Sequence, residues 1–147
     1  MIVPKGTLVM VVDGAKKLLL RNDGEALAPV LTKIERTDDP VLSTAELGSD
    51  RPGRSFQSTG TARSGYEASN YHQQEEDAFA VAAAEQLNVL ALAPNASLIL
   101  IAAPHVLGIM RDHLASATMG RIRAQFAKDY AGRTAHDIAA MLANHEA

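Results

Sequence analysis

The sequence predicts an α/β domain, a mixed sheet that opens with an antiparallel three-strand meander and carries helices on its faces. Three observations predict it. Two short apolar runs, 7–12 and 16–21, are joined through Asp13-Gly14, a dipeptide that favours a tight hairpin turn. Residues 73–91 place Phe79, Ala83, Leu87 and Leu90 on one helical stripe. Residues 97–102 (SLILIA) then form a continuous apolar run, the pattern of a strand covered on both faces. A meander followed by alternating helix and strand signals gives a mixed sheet under helices.

The elements follow in order. The first strand ends at Asp13-Gly14 and the second at Asn22-Asp23-Gly24, whose residues tolerate positive φ. Residues 25–35 read as a third strand with Leu27, Val30 or Leu31, and Ile34 apolar. Pro29 cannot donate to a ladder, so that strand belongs on an edge or carries a bulge. From about 36 to 71, Pro40, Gly48, Pro52, Gly53, Gly60 and Gly65 punctuate a polar stretch that reads as a long mobile loop, with one local turn at 44–47. In the helix from about 73, Glu75, Glu76 and Asp77 would sit in the early turns and complement the dipole. Pro94 blocks its continuation, and Pro104 opens a helix running to about 114. Residues 120–127 read as a strand with Ile122, Ala124 and Phe126 on one face. Thr134 caps a last helix whose stripe is Ile138, Met141, Leu142 and His145. One domain spans 1–147.

Composition excludes several classes. The 147 residues hold no Cys, which removes disulfides, thiolate-bound zinc, iron–sulfur clusters and cysteine nucleophiles. Fourteen Lys and Arg against 17 Asp and Glu leave a net charge of −3, so there is no general field for nucleic acid. With 4% aromatics and no Trp, a base-stacking platform is not expected. Neither a signal peptide nor a membrane span is read from the chain, and the expected location is the cytoplasm, with no membrane partner.

Phosphate-loop, dinucleotide, nucleophile-elbow and His-Glu-x-x-His motifs are all absent. One constellation remains. Asp13 ends the first strand, His105 opens a helix after the buried strand, and Asp129 follows the last strand. Ligands of α/β sheets gather outside the carboxyl ends of strands, and carboxylates there can hold a divalent ion for phosphodiester chemistry. Ordinary structure explains the same residues: Asp13 by its turn, His105 by its helix start and Asp129 by a strand exit. A second candidate is Asp50-Arg51-Pro52-Gly53-Arg54, with Arg63 following, where guanidinium forks suit phosphate or carboxylate. A solvated loop is the bland alternative, because Asp38, Asp39, Glu46 and Asp50 lie near. Arg121, Arg123, Lys128 and Arg133 form a third, modest basic cluster.

Val11-Val12-Asp13-Gly14-Ala15, Ser49-Asp50-Arg51-Pro52-Gly53-Arg54, the helix holding Phe79, Ala102-Ala103-Pro104-His105-Val106-Leu107-Gly108 with Arg111, and Lys128-Asp129 together resemble the bacterial host-attachment protein family, over about 9–142. The resemblance implies a role in attachment of bacteria to host cells, and a chain without a secretion signal would serve it indirectly from inside the cell. More distantly, the layout is similar to the middle domain of archaeal and eukaryotic class-1 peptide-chain release factors, ribonuclease-H-like in outline. In those factors the long loop bears Gly-Gly-Gln and helps water cleave peptidyl-tRNA. Here the loop reads Arg51-Pro52-Gly53-Arg54-Ser55-Phe56-Gln57, and no Gly pair precedes Gln57.

The expectation is therefore a non-enzymatic factor that meets the ribosome or RNA through Asp50, Arg51, Pro52, Gly53, Arg54 and Arg63, with Lys128. No cofactor or metal ion is expected. The alternatives are a hydrolase, acting on a peptidyl-tRNA ester or metal-dependent on nucleic acid, through Gln57 or through Asp13, His105 and Asp129, and a protein-interaction module.

Overall fold

The computed structural model describes residues 1–40, 42 and 62–145. Its strands are β1 (Leu8–Val12), β2 (Lys16–Asn22), β3 (Leu31–Asp38), β4 (Leu98–Ala102) and β5 (Ile122–Ala127). The helices are α1 (Ala62–Leu90), α2 (Pro104–Arg111), α3 (Ser116–Met119) and α4 (Ala135–Asn144). One sheet holds all five strands in the order β3-β2-β1-β4-β5. β1 pairs antiparallel with β2 and parallel with β4; β2–β3 is antiparallel and β4–β5 parallel. This is the expected mixed α/β class with its opening meander.

Alternation along the strands sorts the interior into two cores. Met10, Val12, Leu98, Leu100 and Ala102 pack beneath α1 and α2 with Ala80, Ala83, Ala84, Leu87 and Met110. Val9, Val11, Leu18, Leu20, Ile99 and Ile101 face the other way, against Phe126 and the Ile138 and Leu142 stripe of α4. β4 is wholly buried, which is why its sequence is apolar without a break. The alanines of α1 bring its axis close to the sheet, and Leu87, fully buried, contributes on the order of 1.5–3 kcal/mol.

Three local readings are corrected. Residues 25–30 are not strand: β3 starts at Leu31, while Leu27 and Val30 are exposed. The cause is the buried Asn22, whose Nδ2 donates to the Val3 carbonyl at 2.8 Å. Its Oδ1 accepts from the amides of Gly24 and Val30, each at 2.9 Å, folding this segment into a loop. Gly24 serves there by its size, since a Cβ would stand 2.8 Å from the Ala28 carbonyl and from Val30. β3 is the edge strand, but Pro29 lies before it and does not decide that; the register shift falls between Leu19 and Leu20 and leaves Ile34 unpaired.

In β5, Leu98 pairs with Ile122 but Ile99 with Ala124, so Arg123 is the extra residue of a bulge. Ile122 consequently packs in the first core, and Ala124 and Phe126 in the second, not on one face. Finally, the expected loop of 36–71 is shorter at both ends. β3 runs to Asp38 and α1 already begins at Ala62. No Pro interrupts 53–93, so a helix nucleated by its packed half extends backward through less favourable residues. The local turn expected at 44–47 lies outside the described residues.

Candidate functional site

The carboxyl ends of β1 and β4 open onto a cleft of about 530 Å³. Asp13 reaches it directly after β1, and Ala103 and His105 directly after β4. Asp129 comes from the segment after β5. The three residues that the sequence singled out for chemistry thus line one hollow. Leu42, His72 and Glu76 complete its wall.

Each side chain is positioned by local structure. Asp13 Oδ1 accepts from the amides of Ala15 at 2.8 Å and Lys16 at 2.7 Å, holding the β1–β2 turn in an Asx-type geometry. Gly14 follows, and Glu76 lies against it so closely that a Cβ there would stand 3.1 Å from the Glu76 carboxyl carbon. The small residue lets an acidic side chain of α1 rest on the turn. α2 starts at Pro104 without a side-chain cap, and the Ala103 amide donates to the Val12 carbonyl at 3.1 Å. That bond ties the start of α2 to the end of β1 and sets His105 at the cleft.

His105 is engaged. Its Nε2 lies 2.8 Å from Gln73 Nε2 and 3.2 Å from Asp77 Oδ1, and Gln73 Nε2 also donates to Asp77 Oδ1 at 2.8 Å. An amide NH₂ has two hydrogens and no lone pair to offer. The arrangement is satisfied when Gln73 donates one to Asp77 and one to a neutral imidazole that carries its own hydrogen on Nδ1. His105 then offers the surroundings an N–H donor, with its lone pair occupied.

Glu76 and His72 were not read from the sequence as site residues. With α1 beginning at Ala62, Glu75, Glu76 and Asp77 stand in the helix middle, and its first turn holds no acid. The dipole therefore does not explain them. The signal was present: extending the buried stripe of Leu87, Ala84 and Ala80 backward by fours gives Glu76 and His72. Burial lifts the Glu75 carboxyl above its usual range, and the neighbouring Asp39 adds to that.

Among the described residues, no three His, Asp or Glu side chains are grouped so as to hold a metal ion. Asp50, Arg51, Pro52, Gly53, Arg54 and Gln57 lie outside the described residues, and Arg63 falls in the first turn of α1. Lys128 is exposed, its Nζ 5.8 Å from the centre of the Tyr130 ring, over which Arg133 also lies at 5.0 Å. It faces a different hollow from the cleft, between Tyr130 and α4. The basic cluster is not one patch. Arg121 and Arg123 border a hollow with Ile2 and Ser97 at the amino ends of β4 and β5, roughly 20 Å along the strand from Lys128.

No helix among the described residues is long and apolar enough to cross a membrane. The family model for a protein required for attachment to host cells matches residues 8–142. No curated protein matches the chain.

Proposed function

The chain belongs to the family of proteins required for attachment to host cells, and from that premise we propose that it is a non-enzymatic intracellular factor that associates with RNA, free or in the ribosome, through the arginine-bearing segment 50–63. Attachment is then an indirect outcome, through the products whose synthesis it affects or through a protein partner. The observation that carries this reading is the position of Leu42. It lines the same cleft as Asp13 and His105, so the chain sets out toward Arg51 and Arg54 from the rim of the hollow where α/β folds bind ligands. The distant resemblance to release-factor middle domains supports it, and the lack of Gly-Gly-Gln argues against hydrolysis by their route.

Arg51→Ala with Arg54→Ala is expected to weaken binding to ribosomal RNA and to flatten its salt dependence by about two units in log–log slope. Salt-sensitive migration of the wild type with ribosomal subunits in a sucrose gradient is the companion measurement. Binding unchanged in the double variant, or migration only at the top of the gradient, overturns the reading.

One observation favours a hydrolase as the second reading, namely the gathering of Asp13, His105 and Asp129 around one cleft. A metal-dependent form needs ligands beyond those grouped among the described residues. Turnover of an aminoacyl-tRNA ester or of RNA that Asp13→Asn and His105→Ala both abolish would establish it.

A further inference from the structure

A second hollow, of about 270 Å³, lies beside the cleft on the α4 side of the sheet, and its lining is basic. Lys16, Lys33, Arg36 and Arg133 converge on it, with Gly132 and Thr134. The register explains the convergence. Lys33 pairs with Leu20 and Arg36 with Leu18, and cross-strand partners share a face, here the face that packs toward α4. Lys16 lies two residues before Leu18, on that same side. Arg133 comes from the turn ahead of α4, where Thr134 caps the helix by accepting from the Asp137 amide at 3.0 Å. The first turn of a ten-residue helix therefore adds its own partial positive charge.

Arg36 has a carboxylate partner, Asp38, at 3.2 Å. Lys16, Lys33 and Arg133 have none among the described residues. Three cations without a carboxylate partner among the described residues, in a chain of net charge −3, repel one another around one small hollow; of the three, Arg133 also packs over the Tyr130 ring at 5.0 Å. A monocarboxylate would leave most of that charge unanswered. A backbone phosphodiester carries one charge itself, but the phosphates that follow it along a strand answer the rest.

We propose that this hollow is a phosphate site formed by Lys16, Lys33, Arg36 and Arg133, taking a phosphate of an RNA backbone. In naming RNA it rests on the function proposed above. Asp13, Gly14, Ala15 and Asp129 line the cleft, while Lys16 and Ala131, next along the same two segments, line this hollow, so a strand seated here continues toward the cleft.

The test is Lys33→Gln with Arg133→Gln in the full chain, read in two ways. Fluorescence anisotropy with a short oligouridylate measures the salt slope, expected to fall by about 1.4, at about 0.7 for each single-strand phosphate contact removed. Amide NMR shifts of Gly132 and Thr134 are followed on titration with inorganic phosphate, and the melting temperature is expected to hold or rise. Loss of oligouridylate affinity in the variant supports the RNA-backbone site. Amide shifts with phosphate that the variant abolishes, with oligouridylate not bound or bound as tightly as before, keep the phosphate site and make free phosphate its source. When oligouridylate also fails to bind the wild type, the RNA reading falls alone. Unchanged oligouridylate affinity without any response to phosphate overturns the site.

Discussion

The side-chain amide of Gln73 stands 2.8 Å from the imidazole Nε2 of His105 while donating to Asp77 at the same distance. Protonation would reverse the geometry, because an Nε2–H can donate only to Asp77, 3.2 Å away. At pH 8 the ring is expected as the Nδ1–H tautomer, seen in its ¹⁵N shifts. Gln73→Ala should convert it to the Nε2–H form, donating to Asp77. An Nε2–H ring in the wild type at pH 8 would contradict the assignment.

Gly24 should be intolerant of a methyl group. A Cβ there lies 2.8 Å from a backbone carbonyl and a backbone nitrogen, neither of which can rotate away. Gly24→Ala is expected to cost on the order of 1–3 kcal/mol, the range for overpacking a tight site. Urea denaturation measures it, and a midpoint equal to the wild type would show that the 22–30 loop gives way easily.

Asn88 ties the end of α1 to the 113–118 segment. Its Nδ2 donates to the His113 carbonyl at 2.9 Å, and its Oδ1 accepts from the Ala115 amide at 2.9 Å and the Thr118 hydroxyl at 2.6 Å. Thr118 is buried, so Asn88→Ala strands a buried hydroxyl and should cost about 1–3 kcal/mol. Adding Thr118→Val to that variant should recover part of the loss. If the two changes are simply additive in stability, the proposed coupling is absent.

Glu75 makes stability depend on pH in a direction that can be fixed. Its carboxyl titrates above the ordinary value of 4.5, first through burial and then through Asp39. A raised carboxyl favours the protonated fold, so the stability it lends is complete below that ordinary value and is lost as pH rises through the folded one. Glu75→Gln is expected to raise the melting temperature at pH 7 and to leave it unchanged near pH 3.5. A lower melting temperature at pH 7 would reverse the sign.

What the sequence made legible was local. Asp13-Gly14 announces its turn, the unbroken apolar run of β4 announces burial on both faces, and Thr134 announces the start of α4, each needing only neighbours in the chain. The errors come where distant partners decide. Asn22 turns 22–30 into a loop because its amide finds Val3, nineteen residues away, and Arg123 is extruded from β5 to satisfy β4. The cleft was half legible. Asp13, His105 and Asp129 follow from the rule that strand ends carry sites, whereas Glu76 and His72 depend on which side of α1 meets the sheet. The basic hollow was illegible because Lys16, Lys33, Arg36 and Arg133 become neighbours only through β-register and the docking of α4.

β1 is paired on one side by residues that follow it at once and on the other by Leu98–Ala102, ninety positions later. A ribosome adding 5–20 residues each second needs roughly 5–20 s to make that intervening stretch. A meander formed in that interval would carry β1 at an open edge, its amides and carbonyls on the β4 side unpaired. A chain at that stage would offer a neighbour an edge to pair with until β4 arrives to close it.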